Sequence, residues 1–105
     1  MNRSDELRAR LEEDPTDEAA LDALLAEACA AQDWSLAASA LRQRVDIAGD
    51  VPTRIRALTR LASIAEDQLD DLEAAASAYE VILELDPSAV DAAQSLARIR
   101  QALGG

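Results

Sequence analysis

Apolar residues recur three and four positions apart along nearly the whole chain: Leu21, Leu24, Leu25 and Ala28; Leu58, Leu61, Ala62 and Ala65; Leu72, Ala75, Ala76, Tyr79, Ile82 and Leu83; then Ala93, Leu96 and Leu103. That spacing gathers them on one side of an α-helix. The runs are interrupted at fixed kinds of places. Asp14-Pro15 and Asp86-Pro87 each end a helix, because the residue before a proline avoids the α region, and Thr16 and Ser88 stand next as N-caps or near-caps. Gly49 and Pro52 end another helix, and Pro52 or Thr53 begins the one after it. Tighter turns fall at Ala31-Gln32-Asp33-Trp34 and Leu69-Asp70-Asp71-Leu72. The pattern predicts six helices, near residues 4–13, 18–31, 34–48, 53–68, 72–85 and 89–103, and no strands.

Two stretches of this pattern are copies of each other. "DWSLAASAL" from Asp33 and "DLEAAASAY" from Asp71 share the Asp and the tetrapeptide "AASA" at an offset of 38 residues. The helices before them, "LDALLAEA" from Leu21 and "LTRLASIA" from Leu58, correspond at an offset of 37, which places one extra residue in the second turn. The repeated unit is a helix hairpin.

These residues resemble the tetratricopeptide repeat family, whose unit is a two-helix hairpin. Leu58, Leu61, Ala62 and Ala65 follow its first-helix pattern, Ala75 and Tyr79 supply its Ala and aromatic pair, and Pro87 its closing proline. In the earlier unit Leu21, Leu24, Leu25 and Ala28 answer the first helix, Trp34 fills the turn, Ala37 and Leu41 answer the second helix, and Gly49 stands near the expected proline. Neither unit has the family's first-helix Tyr, and residues around "PTRI" are additional. The resemblance implies an all-α fold, a right-handed α-solenoid of antiparallel hairpins in one domain over residues 1–105. Residues 4–15 would be an incomplete leading repeat, 18–51 repeat one, 53–88 repeat two and 89–103 a trailing, capping helix. It also implies a concave groove lined by the first helix of each hairpin, where a peptide or protein segment binds. In this register the residues facing that groove are Asp22, Ala26 and Cys29, then Arg56, Thr59, Arg60 and Ser63, then Gln94 and Arg98. The family's clamp for a terminal carboxylate uses bases and Asn, and Asp22 stands where the first base would be, so that clamp is not expected.

Composition narrows the chemistry. Of the 105 residues 21 are acidic and 10 basic, all of them Arg, for a net charge of -11 that repels nucleic acid and anionic membrane surfaces. No segment approaches the roughly 20 apolar residues that span a bilayer, and the acidic N-terminal stretch lacks a signal peptide's apolar run, so a soluble, cytoplasmic chain is expected. The chain contains no His, which removes a catalytic triad and a His-containing zinc site, and its single cysteine, Cys29, excludes an internal disulfide. Cys29 on an Ala-rich helix reads as a small packing residue. "EEDPTDE" and "EDQLDD" lack the ligand spacing and turn Gly of a calcium loop. Neither a metal nor a cofactor is expected. The closing "ALGG" reads as the end of the last helix.

Charge is segregated along the chain: net -7 over residues 1–34, +3 over 35–65 and -7 over 66–105. The basic centre holds Arg42, Arg44, Arg54, Arg56 and Arg60, which either dock an acidic partner segment or are neutralised by neighbouring helices. The expected function is a non-enzymatic protein–protein interaction module. A small acidic chaperone or adaptor that dimerises through an exposed repeat edge is the alternative.

Overall fold

The computed structural model describes residues 3 to 104. Met1, Asn2 and Gly105 lie outside the described residues. Six helices follow one another: α1 (Arg3–Glu13), α2 (Glu18–Ala30), α3 (Trp34–Ile47), α4 (Val51–Asp67), α5 (Leu72–Leu85) and α6 (Val90–Gly104).

Four of the helix starts are set by one device, an Asp whose side chain accepts a backbone N–H three residues on. Asp17 accepts from Ala20, Asp33 from Leu36, Asp50 from Thr53 and Asp71 from Ala74. Each satisfies an amide that has no partner inside its helix. The shared Asp of the two copied stretches is therefore the N-cap of α3 and of α5. The "AASA" that follows is the packing stripe. Ala37, Ala38 and Ala40 are buried, as are Ala75, Ala76 and Ala78, while Ser39 and Ser77 between them are exposed.

The turns repeat as well. After α1, the Asp14 carboxylate accepts the Thr16 N–H at 3.1 Å and the Thr16 hydroxyl at 2.7 Å, and the Asp17 N–H donates to the Asp14 carbonyl. After α5, Asp86 receives the Ser88 N–H at 3.1 Å and its hydroxyl at 2.6 Å, and the Ala89 N–H donates to the Asp86 carbonyl. Thr16 is thus one residue ahead of the true cap, Asp17, and both hydroxyl residues brace an Asp-Pro turn. Between α2 and α3 the Asp33 N–H reaches the carbonyl of Ala28, five residues back. Between α4 and α5 the Asp71 N–H reaches Ala65, six back. That is the extra residue inferred from the shift in offset. Each of these turns places a non-Gly residue just before its Asp cap in the left-handed region, Gln32 at φ 57° and Asp70 at φ 51°.

Gly49 departs from the expected role. It has no left-handed φ, and α3 ends at Ile47 with an extended Ala48 whose N–H donates to Val45. Helix α4 then starts at Val51, one residue ahead of the proline. Asp50 caps it, and Pro52, in the first turn, lacks an N–H that would have no partner there anyway.

Each helix packs chiefly on its neighbours in sequence, as adjacent pairs, giving a body of 45 × 27 × 17 Å. The core is apolar throughout among the described residues, and 13 of its 26 residues are Ala, which lets helix axes approach closely. It divides into two clusters. Leu7, Leu21, Leu24, Leu25 and Leu41 belong to the first, and Ala75, Tyr79, Ile82, Leu96 and Ile99 to the second. Helix α4 serves both, turning Ala57, Leu61 and Ile64 to the first and Leu58, Ala62 and Ala65 to the second. Among the described residues no helix is long and apolar enough to cross a membrane.

Candidate functional site

Burial of two faces of α4 leaves a third one outside, and this face carries Arg56, Arg60, Ser63 and Asp67 at positions one turn apart. Helix α2 presents Asp22 and Cys29 toward the same side. Two clefts result. In one, of about 250 Å³, Asp22, Leu25, Arg44, Thr53, Arg56 and Arg60 are brought together over a floor of Leu41 and Ala57. In the other, of about 340 Å³, Cys29, Trp34, Arg60, Ser63, Asp67 and Gln68 meet above Ile64. Arg60 lines both, and the two clefts follow one another as a groove along the α2–α4 seam. A guanidinium nitrogen of Arg60 lies 4.0 Å from the Cys29 sulfur.

Of the residues expected to share a groove, the structure unites Asp22, Cys29, Arg56, Arg60 and Ser63 here. Ala26 is exposed on α2 and Gln94 on α6, both outside these clefts. Thr59 sits on the other flank of α4, in a third cleft of about 270 Å³ beside α6. Arg98 is engaged elsewhere: its guanidinium donates to Glu66 at 2.6 Å and ties α6 to α4.

The five Arg of the basic centre divide the same way. Arg44, whose side chain is only 17% exposed, reaches back from α3 to Asp22 at 3.1 Å and Glu18 at 3.6 Å. Its Nη1 is buried with no hydrogen-bond partner. Arg54 donates to the carbonyl of Ala48 at the end of α3, at 3.3 Å. Arg42, Arg56 and Arg60 have no carboxylate within ion-pairing distance among the described residues, and Arg56 donates only to the Thr53 hydroxyl at 3.3 Å. Asp50, near these cations, has its carboxyl held below the ordinary carboxylate value, first by the Thr53 amide and hydroxyl and then by the charges of Arg56 and Arg44.

Arg44, Leu25 and Trp34 line the groove without having been expected there. Arg44 comes from the second helix of the hairpin and reaches the groove through its ion pairs to Glu18 and Asp22 of α2. Trp34 opens α3 and leans over the turn toward α4. What the lining offers is binding chemistry: two unpaired guanidinium forks suited to carboxylates, an aromatic edge, and small polar groups at the rim. No known protein-family model matches the chain, and no curated protein matches it either.

Proposed function

We propose that the chain is a non-enzymatic protein–protein interaction module, a soluble cytoplasmic scaffold or adaptor of the tetratricopeptide type. In this reading its hairpins stack as a right-handed α-solenoid, and the groove along α2 and α4 holds a peptide or protein segment. One observation carries the reading: among the described residues Arg56 and Arg60 have no ion-pair partner in an open groove of a protein with net charge -11, while Arg44, Arg98 and Arg100 are each ion-paired to a carboxylate. Unpaired cations at the rim of a groove steer an acidic partner and fix its register. The repeated caps, turns and Ala stripes support the scaffold part of the reading.

The test is capture of partners by the wild-type protein and by Arg56→Glu/Arg60→Glu, compared by quantitative mass spectrometry at two salt concentrations. Partners lost in the variant, and weakened by salt in the wild type, support the groove. An unchanged partner set removes it. A self-associating chaperone or adaptor is the second reading, favoured by Val90 and Leu103, which are 63% and 47% exposed on a terminal helix that packs on α5. Light scattering that shows a dimer independent of concentration and of the Arg reversals would select that reading.

A further inference from the structure

The cleft between α4 and α6 holds the same place in the second hairpin as the Arg-lined cleft holds in the first. Leu41 and Tyr79, equivalent through the repeated Asp cap and "AASA", each lie under one of the two clefts. Three residues further on, the second helix contributes Arg44 to the first cleft and Ile82 to the second. Their outer walls correspond too. Ala57, Leu61 and Ile64, the buried stripe that α4 turns to the first cluster, have the same spacing as Ala92, Leu96 and Ile99 of α6 in the second, which makes Asp91 the counterpart of Arg56 and Ser95 that of Arg60.

Between these equivalent places the chemistry is exchanged. Where the first cleft has Arg44 and Arg56, the second has Ile82 and Asp91, and Ile55 and Val90 add apolar surface to it. Val90 is 63% exposed, so its apolar surface is open to a partner. The Thr59 hydroxyl is turned to its own backbone, donating to the Ile55 carbonyl at 2.7 Å, and offers no donor to a ligand there. Asp91 stands at the edge of this cleft and repels a second carboxylate. Beyond it, Arg98 and Glu66 bridge α6 to α4 and occupy each other. Helix α4 is thus a ridge with a cationic flank and an apolar flank.

From this arrangement we infer that the occupant is an extended segment of a partner protein with a fixed pair of side chains: an acidic one against Arg56 and Arg60, and an aliphatic one in the Val90 cleft. The inference rests on the groove-binding reading and adds the partner's chemistry to it. The clefts are separated by about one helix spacing, roughly 10 Å, and an extended chain advances about 3.3 Å per residue, so the two side chains are about three residues apart. Asp91 sets the polarity, since the reverse placement brings like charges together and leaves Arg56 and Arg60 facing an aliphatic group.

The experiment is selection of a displayed library of random dodecapeptides on the whole chain at low salt, followed by titration of the enriched synthetic peptide. The expected consensus is Asp or Glu three or four positions from Leu, Ile, Val or Met. Arg56→Glu/Arg60→Glu and Val90→Asp each weaken that peptide about tenfold or more, with helicity unchanged because these side chains are exposed. Replacing the peptide's acid by Asn removes its sensitivity to the Arg reversals, and replacing its aliphatic residue by Ala removes its sensitivity to Val90→Asp. Enriched peptides that lack the pair, or that bind the variants as well as the wild type, overturn the inference and leave groove binding standing. If no peptide is enriched, the groove reading falls and the inference with it. A dimer that Val90→Asp dissolves would assign that cleft to a second copy of this chain and overturn the proposal as well.

Discussion

Because α4 is shared by two apolar clusters that otherwise use different helices, damage to one cluster should be felt mainly on its own side. Leu41→Ala tests this in the first cluster, where Leu41 is 1% exposed and belongs to a core drawn from α1–α4. Three buried carbons at about 0.8 kcal/mol each give about 2.4 kcal/mol of lost transfer energy. The cavity left among Ala and Leu neighbours raises the cost to about 3–4 kcal/mol. That is a large part of the roughly 5–15 kcal/mol that holds a domain of this size together, and it corresponds to a fall in melting temperature of about 12 °C or more. Tyr79→Ala, in the second cluster, should cost about 3–5 kcal/mol by the same reasoning.

Hydrogen exchange read helix by helix distinguishes the two variants. In Leu41→Ala, amides of α1–α3 should exchange about a hundredfold faster, since every 1.4 kcal/mol is a factor of ten, while those of α5 and α6 change less; Tyr79→Ala should show the reverse. An equal loss of protection in all six helices in both variants would mean that opening is one all-or-none event, and the division of the core at α4 would have no energetic meaning. A loss below about 1 kcal/mol in either variant would mean that its side chain is not packed as described.

Asp33→Ala and Asp71→Ala should each cost about 1 kcal/mol in denaturant unfolding, because each removes an N-cap, whereas Asn at either position should cost little. Gln32→Gly should stabilise by about 1 kcal/mol by relieving a left-handed non-Gly residue, and Gly49→Ala by about 0.4–1 kcal/mol, since nothing lies within 4 Å of the added Cβ and no left-handed φ is required; calorimetry reads both. Asp17 and Asp50 have carboxyls held below the ordinary value of 3.8, first by the amides of Ala20 and Thr53 respectively. A depressed folded-state value stabilises above the unfolded one and is lost as the pH falls through it, so the melting temperature should drop below about pH 4. Asp17→Asn/Asp50→Asn keeps the caps and should flatten that part of the profile; an unaltered profile would refute the assignment. In a gel-shift assay at physiological salt, neither duplex nor single-stranded nucleic acid should be retained.

The six helices were legible because their signals are local. An Asp cap, an Asp-Pro break and an apolar stripe each act within a few residues, and the change of offset from 38 to 37 located an extra turn residue that the Asp71–Ala65 hydrogen bond makes visible. The left-handed residues were hidden because Gly, the usual marker, is absent from both turns, and hydrogen bonds around Gln32 and Asp70 hold a conformation that propensity disfavours. Gly49 misled for the complementary reason. It marks a place where the left-handed region is allowed, and the chain does not enter it.

The groove was harder to read than the helices, since a side chain's availability depends on what a different helix brings near it. Arg56 and Arg98 look alike in sequence, each on the exposed side of a first helix. Glu66 reaches Arg98 across the α4–α6 seam, and among the described residues no acid comes within ion-pairing distance of Arg56, whose counterpart position on α6 is Asp91. Asp22 looks like an acid opposing any acidic ligand, yet Arg44 from α3 offsets its charge at 3.1 Å and leaves Arg56 and Arg60 to set the sign of the seam. On the proposed groove-binding reading, the net charge of -11 acts in two ways. It keeps polyanions away at long range, while the short-range field in one groove favours a single acidic side chain presented on a neutral or weakly charged segment. A partner that met the groove with a long acidic tract would face repulsion from both ends of the molecule, so selectivity for an isolated acid follows from the same charge distribution that makes the groove stand out.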